Sequence, residues 1–347
     1  MQFLEQPKKL QLELSSMCNA LCLGCQRTNS MNYNEVKSCI PKKQIVESKT
    51  IEELLKSKVM QSLEVLEFCG SIDEPLIHPN FFEILDIAYL INPNYSITIH
   101  TNASLRSTSD WKRLAVSLKR FKQHDVHFSI DGLEDTHSIY RQWTDYNKIL
   151  RNAAAFIEAG GNAIWQYLIF PWNKHQVEIA KEKSKEIGFA KFHMRHDRSH
   201  VSNDGLEMII RMKQENYTGP GKPKPKDYSE KELLPIECNS LKNKMYFLSY
   251  DSRLWPCCFL PNGFYMGEPT PSHLNDRLYK NYGHDFNDLT KYSADEIVMH
   301  RFYKNDLVES FGAKISTSMC GKISRCADTC TIKELVNNPI GKVTELK

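Results

Sequence analysis

The chain has 347 residues, 41% of them hydrophobic and 25% charged, with a formal net charge of +3. That length and balance allow one large domain, or a domain with an appendage, of ordinary globular composition. The small charge speaks against nucleic acid as a partner, no apolar run approaches the ~20 residues of a membrane helix, and the opening Met-Gln-Phe-Leu-Glu-Gln-Pro-Lys-Lys lacks the apolar centre of a signal peptide, so a cytoplasmic location is expected.

From residue 9 to residue 195 strand-like and helix-like stretches alternate. Leu10, Leu12 and Leu14 alternate in a short first strand. Thr50 with Glu53 has the pattern of a capping box, and Ile51, Leu54, Leu55 and Val59 line a helical face behind it. Residues 65–69 read as the second strand, 81–90 as a helix, 96–100 as the third strand, 111–121 as a helix and 126–130 as the fourth strand. Ile149, Leu150, Ala153, Phe156 and Ile157 form the next helical face, ended by Gly160 and Gly161. Residues 163–169 are the fifth strand, Asn173 is placed to cap a helix that stops at Gly188, and 190–194 are the sixth strand. Six strand–helix repeats predict a parallel sheet with crossover helices, an α/β partial (βα)6 TIM-like barrel. Ligand groups should gather at the C-terminal ends of its strands, where Cys69-Gly70, His100-Thr101-Asn102 and Ile130-Asp131-Gly132 fall.

Residues 218–229 are rich in Pro, Gly and Lys and read as a linker, and a region of weaker periodicity with six cysteines follows it. The expected division is a barrel over 1–217, a linker over 218–232, and a small cysteine-rich auxiliary domain with its tail over 233–347.

Eleven cysteines, an odd number, occur in a chain without an export signal, which favours metal ligation over structural disulfides. Cys39 and Cys69 stand outside the two groups, and Cys69 reads as a buried strand residue. Cys18, Cys22 and Cys25 form a C-x3-C-x2-C run just after the first strand. Three thiolates at this spacing can hold three irons of a 4Fe–4S cube and leave the fourth open, whereas an electron-transfer cube takes four cysteines. The plainer readings are one face of a helix, since i, i+4 and i+7 coincide there, and a zinc site, for which a fourth ligand would be needed and no His lies near in sequence.

With these segments together the chain resembles the radical S-adenosylmethionine enzymes. In that family a C-x3-C-x2-C loop follows the first strand of a six-fold βα partial barrel, and S-adenosylmethionine chelates the open iron. Phe68-Cys69-Gly70-Ser71-Ile72-Asp73-Glu74-Pro75 resembles the family's Gly-rich Glu-Pro stretch, so the resemblance implies that Gly70 lets the backbone approach the methionyl moiety and Glu74 helps hold its amino group. Thr101-Asn102 resembles the Thr-Asn pair after strand three, Ser129-Ile130-Asp131-Gly132 the Ser-x-Asp-Gly end of strand four, and Tyr140-Arg141 the following Tyr-Arg. The resemblance therefore names Gly70, Glu74, Asn102, Ser129, Asp131 and Arg141 as cofactor-binding, with Ser129 and Arg141 at the family's spacing. A turn at Glu74-Pro75 and a surface Arg141 are the plainer readings. Gly24 departs from the family, which usually has an aromatic residue there that packs on the adenine.

The C-terminal region resembles the auxiliary-cluster extension called SPASM, or its half-size form, twitch. Cys238 is followed by residues 245–255, a hairpin with its turn at Asp251-Ser252, then by Pro256-Cys257-Cys258 and by Cys320-x5-Cys326-x3-Cys330. Thr317 occupies the first position of the second motif and no cysteine follows Cys330, so the resemblance implies one auxiliary 4Fe–4S cluster rather than two. Its candidate ligands are Cys238, Cys257 and two or three of Cys320, Cys326 and Cys330; a zinc ribbon is the alternative. Neighbouring residues of extended chain face opposite ways, so Cys257 and Cys258 are not expected to ligate together.

His193, Met194, Arg195 and His196 end the sixth strand, and an acid–base role for one of the histidines stands beside plain packing. Gln166, between Trp165 and Tyr167, is placed to line the cavity. The substrate expected is a peptide or protein side chain; dehydrogenation or rearrangement of a small molecule such as an aminosugar is the alternative. Seventeen residues precede Cys18, too few for a leader-binding domain, and a reducing partner such as flavodoxin or ferredoxin is implied. A non-catalytic iron–sulfur or zinc-binding interaction protein would need only the cysteines, so Glu74, Ser129 and Arg141 speak against it.

Overall fold

The structure, a computed structural model, describes residues 4–28, 34–196, 236–261 and 273–312. The linker 218–232 and Cys320, Cys326 and Cys330 lie outside the described residues. In chain order the principal elements are β1 (Lys9–Leu12), α1 (Ser48–Lys56), β2 (Val65–Phe68), α2 (Phe81–Ile91), β3 (Ser96–Thr101), α3 (Thr108–Leu118), β4 (Gln123–Ser129), α4 (His137–Tyr140), α5 (Tyr146–Glu158), β5 (Ala163–Ile169), α6 (Val177–Ile187) and β6 (Lys191–His196), then a hairpin of β7 (Met245–Ser249) and β8 (Arg253–Trp255). This is the expected α/β class, with the six strands of a partial TIM-like barrel.

The described residues divide into two compact units. One holds the chain up to Ser16, residues 38–71 and the residues from 236 onward; the other holds 17–37 and 72–196.

In the first unit β1 pairs in parallel with β2 on one side and with β7 on the other, and β7 pairs antiparallel with β8. The hairpin turn falls where expected, with Ser252 at φ 60°. Leu10, Leu12, Leu66, Phe68, Tyr246, Leu248 and Leu254 are all fully buried, so the hairpin shares the apolar core of the strands it joins. The capping box expected at Thr50 and Glu53 does not form. The helix α1 starts at Ser48 behind Glu47, whose side chain makes no cap. Its entry is set by Val46, fully buried with its N–H bonded to the Leu14 carbonyl at 2.9 Å. A tertiary contact thus overrides a local signal two residues further on.

In the second unit β3, β4, β5 and β6 pair in parallel in that order. One face buries Ile97, Ile99, Val126, Phe128, Trp165 and Tyr167, with Trp111, Phe156 and Phe189 against them. The helix α3 starts three residues earlier than its apolar face suggests, because Ser107 and Asp110 form a full capping box. Gly188 ends α6 at φ 97°, a left-handed position that suits glycine. Asn173 precedes a 3-10 turn, but its side chain does not cap it: the carboxamide accepts from the Phe170 N–H at 2.7 Å and donates to the Leu168 carbonyl at 2.9 Å. No described helix is long and apolar enough to cross a membrane.

Candidate active site at the cysteine triad

The triad lies in turns and not on a helix, which removes the helical-face reading of its spacing. The Cys25 N–H bonds to the Cys22 carbonyl at 3.1 Å and the Thr28 N–H to the Cys25 carbonyl at 3.0 Å, so the chain wraps back on itself. Thr28 Oγ1 adds a bond to the Cys22 carbonyl at 2.7 Å. Leu21 and Leu23 donate their N–H groups to the Gln142 and Tyr140 carbonyls at 3.1 and 3.3 Å, which pins the loop to the end of α4.

Each thiol has a donor aimed at it. The Ala20 N–H approaches Cys18 Sγ at 3.4 Å and the Arg27 N–H approaches Cys25 Sγ at 3.5 Å. Asn102 Nδ2 lies 3.7 Å from Cys18 Sγ, and Arg141 Nη1 lies 3.7 Å from Cys22 Sγ. Burial pushes the Cys22 thiol up to about 11 and the Cys18 thiol well above its ordinary value, with neighbouring carboxylates and thiols adding to it. Alone, then, these sulfurs are protonated; bound to iron they would be thiolates, and the ring of donors is what thiolates require. The donor set therefore fits an iron–sulfur cube. Among the described residues no three His, Cys, Asp or Glu side chains converge on a single metal ion.

Glu74 is buried, with its N–H held by the Met17 carbonyl at 2.9 Å, just before the triad. Its Oε1 accepts from Thr101 Oγ1 at 2.5 Å and its Oε2 from the Asn102 N–H at 2.7 Å. Burial still wins and raises its carboxyl from 4.5 to about 7. The Asn102 side chain donates to Asn19 Oδ1 at 2.9 Å, and Asn19 Nδ2 donates to Ser104 Oγ at 2.7 Å. One continuous network thus joins Glu74, Thr101, Asn102, Asn19 and Cys18.

A second network serves Cys22. Asp131, buried after β4, accepts from Arg141 Nε at 2.6 Å on one oxygen and from the Leu168 N–H at 2.7 Å on the other. Burial raises its carboxyl, while Arg141 and the Leu168 N–H work against the rise. Both oxygens are engaged, so Asp131 aims Arg141 and ties the end of β4 to β5. The Asp131 N–H donates to His137 Nδ1 at 3.2 Å, His137 Nε2 meets Thr144 Oγ1 at 3.1 Å, and Thr144 donates to the Arg141 carbonyl at 2.6 Å. That chain of bonds places the His137 proton on Nε2. Burial, with Arg141 nearby, lowers the imidazole to about 3 and keeps it neutral. His137 escaped the sequence reading; its only signal was its place one turn after Asp131-Gly132. Gly132 itself, at φ 113°, has no room for a Cβ, which would stand 2.1 Å from Thr136 Oγ1.

Aromatic rings close the loop's other side. Tyr140, Phe170 and Trp172 pack with Ala20, Cys22 and Leu23. The Phe170 and Trp172 rings stack at 4.6 Å, and Tyr140 and Phe170 also lie 4.6 Å apart. They stand beside the loop that carries Gly24. Ser129 is half-buried at the end of β4, level with Gln166. Gly70 lies in the first unit, just after β2.

The first unit also holds Cys238, ahead of a short helix, and Cys257 and Cys258 after β8. Cys258 opens a turn, so the extended chain assumed for this pair is not present. Burial raises the Cys258 thiol well above its ordinary value, and Cys257, Cys69 and Glu13 add to the rise. Cys69 is therefore more than a strand residue: it is half-buried past the end of β2, within the electrostatic reach of Cys258.

No protein-family model matches the chain, and no curated protein matches its sequence. Solved structures do. Streptococcus suis SuiB bound to the precursor peptide SuiA aligns with a TM-score of 0.53 and 16% identity, over 74% of this chain and 61% of SuiB. The chain thus spans about three fifths of SuiB's length. Native anSMEcpe with bound AdoMet aligns with a TM-score of 0.52 and 16% identity, over 86% of this chain and 81% of that one. At such identities the likeness establishes the fold alone, one shared with SuiB and with anSMEcpe.

Proposed function

We propose that the protein is a radical S-adenosylmethionine enzyme that takes a hydrogen atom from a peptide or protein side chain. The observation that carries this reading is that two hydrogen-bond networks, Cys18 with Asn102 and Glu74 and Cys22 with Arg141 and Asp131, lie within one unit around the cysteine loop. A structural ion pair would not need three thiols beside it, and a metal-binding loop would not need a buried Glu. The fold shared with SuiB and anSMEcpe, whose structures hold a precursor peptide and the Cp18Cys peptide, favours a peptide substrate.

In this reading Cys18, Cys22 and Cys25 would hold a 4Fe–4S cluster, which with S-adenosylmethionine and one electron from a flavodoxin or ferredoxin would supply a 5′-deoxyadenosyl radical and methionine. Glu74 becomes ionised against the amino group of the methionyl moiety, and the Thr101 and Asn102 donors hold its oxygens in place. Arg141, aimed by Asp131, meets a carboxylate with its remaining N–H groups. Ser129 is a contact at the same strand end. Tyr140, Phe170 and Trp172 supply the apolar surface that Gly24 lacks. Cys238, Cys257 and two or three of Cys320, Cys326 and Cys330 hold one auxiliary 4Fe–4S cluster. The cytoplasm is the place of action.

Anaerobic reconstitution, followed by iron count, Mössbauer spectroscopy and assay of 5′-deoxyadenosine with dithionite, tests this on one preparation. About eight irons per chain, with 5′-deoxyadenosine formed, is the expected result. Cys18→Ala, Cys22→Ala or Cys25→Ala should abolish cleavage. Cys238→Ala should lose about four irons and retain it. Iron without any cleavage, or zinc in place of iron, would overturn the reading.

A further inference from the structure

The face of β3 to β6 opposite the packed helices is polar. His100 on β3 lies in register with His127 on β4, and Ser129 with Gln166 on β5 and His193 on β6. In-register neighbours of a parallel sheet share a face, so these side chains, with Arg195 two residues past His193, stand on one side. None is fully buried, although each sits on a strand of a packed sheet.

The side chains converge. The His100 and His127 rings stack at 4.4 Å, nearly parallel at 17°. The His127 and His193 rings are 6.0 Å apart. His100 Nδ1 meets Gln166 Oε1 at 3.3 Å although β4 lies between their strands. Strands two apart are separated by roughly 10 Å, so this contact requires a concave face. Ser129, at the cofactor end of the proposed site, belongs to that face.

The face carries two cations on β6 and one acid on β4. Arg195 and Lys191 are cationic, and each imidazole becomes a double donor when protonated. The acid there, Asp125, lies two residues toward the start of β4 and is engaged by Asn162 Nδ2 at 2.6 Å. Arg195 Nε is buried and has no hydrogen-bond acceptor among the described residues. A buried guanidinium donor left without an acceptor is costly, and the missing partner is an oxygen.

We infer that this concave wall is a substrate subsite, in which His100, His127, His193 and Arg195 hold an oxyanion group of the substrate, a carboxylate or a phosphate. The inference rests on the proposed radical chemistry for the word substrate, but the anion site itself does not. It selects, within that reading, an acidic peptide group or a phosphorylated small molecule over a cationic one.

Isothermal titration of the reconstituted enzyme with S-adenosylmethionine, using inorganic phosphate and acetate as probes and chloride at equal ionic strength as reference, tests it. Phosphate or acetate should bind saturably with one site per chain, and chloride should not. Tighter acetate binding identifies a carboxylate substrate, and tighter phosphate binding a phosphorylated one. His127→Ala and Arg195→Gln should each weaken the probe about tenfold, the usual loss for one charge-assisted hydrogen bond. Unfolding midpoints show whether each variant is folded, and Arg195, on the last strand of the unit, keeps the test open if His127→Ala is not. No saturable binding, or binding that survives both substitutions, overturns the inference. Failure of the radical reading would appear separately, as absence of 5′-deoxyadenosine from the wild-type preparation.

Discussion

Glu74 gives the sharpest single prediction. Its carboxyl is held at about 7 against an ordinary 4.5, chiefly by burial. At about 1.4 kcal/mol per pH unit, that difference is worth roughly 3 kcal/mol of folding stability. The sign follows from the folded state binding the proton more tightly. Stability from the protonated form is complete below pH 4.5 and is lost as the pH rises through 7. Glu74→Gln removes the titration and keeps the shape. The amide oxygen can accept the Asn102 N–H, and the amide nitrogen can donate to Thr101 Oγ1. The variant apoprotein should therefore gain on the wild type as the pH rises, by about 3 kcal/mol between pH 4.5 and pH 8. Anaerobic urea unfolding of both proteins at each pH measures this, and groups common to both cancel in the difference. A Gln–wild-type difference that stays constant across that range would refute the reasoning. S-adenosylmethionine binding at pH 7 should release more protons from the wild type than from Glu74→Gln, seen as a larger dependence of the binding heat on the buffer, because the methionyl amino group favours the ionised carboxyl.

Two further predictions concern the second network. Arg141→Ala leaves Asp131 buried without its cation and should cost about 3–5 kcal/mol at pH 8. The loss should shrink as the pH falls and Asp131, whose carboxyl burial raises, takes a proton, and Asp131→Asn added to Arg141→Ala should recover part of it in the same unfolding assay. His137→Ala leaves the Asp131 N–H and Thr144 without their partner and should cost about 1–3 kcal/mol. His137→Asn, which keeps an acceptor near the Nδ1 position, should cost less and retain more affinity for S-adenosylmethionine. Equal losses in the two variants would count against a positioning role.

The sequence by itself determined the parts whose causes are local. Alternating Leu10 and Leu12, the glycine that ends α6 and the apolar periods of α2 and α5 depend on neighbours a few residues away, and the elements appeared where those signals stood. The C-x3-C-x2-C spacing was legible in the same way, and so were the strand-end segments at Glu74, Asn102 and Asp131. The tertiary structure decided what no local signal carries. The entry of α1 moved to Ser48 because Val46 bonds to Leu14. The hairpin β7–β8 turned out to extend the strand set of β1, since edge pairing is a long-range backbone contact. The Asp131 oxygens meet Arg141 and β5, and His137 joins the site because its Nδ1 receives the Asp131 N–H after β4. The histidine wall has the same origin. His100, His127 and His193 stand far apart along the chain, and parallel register with curvature brings them together.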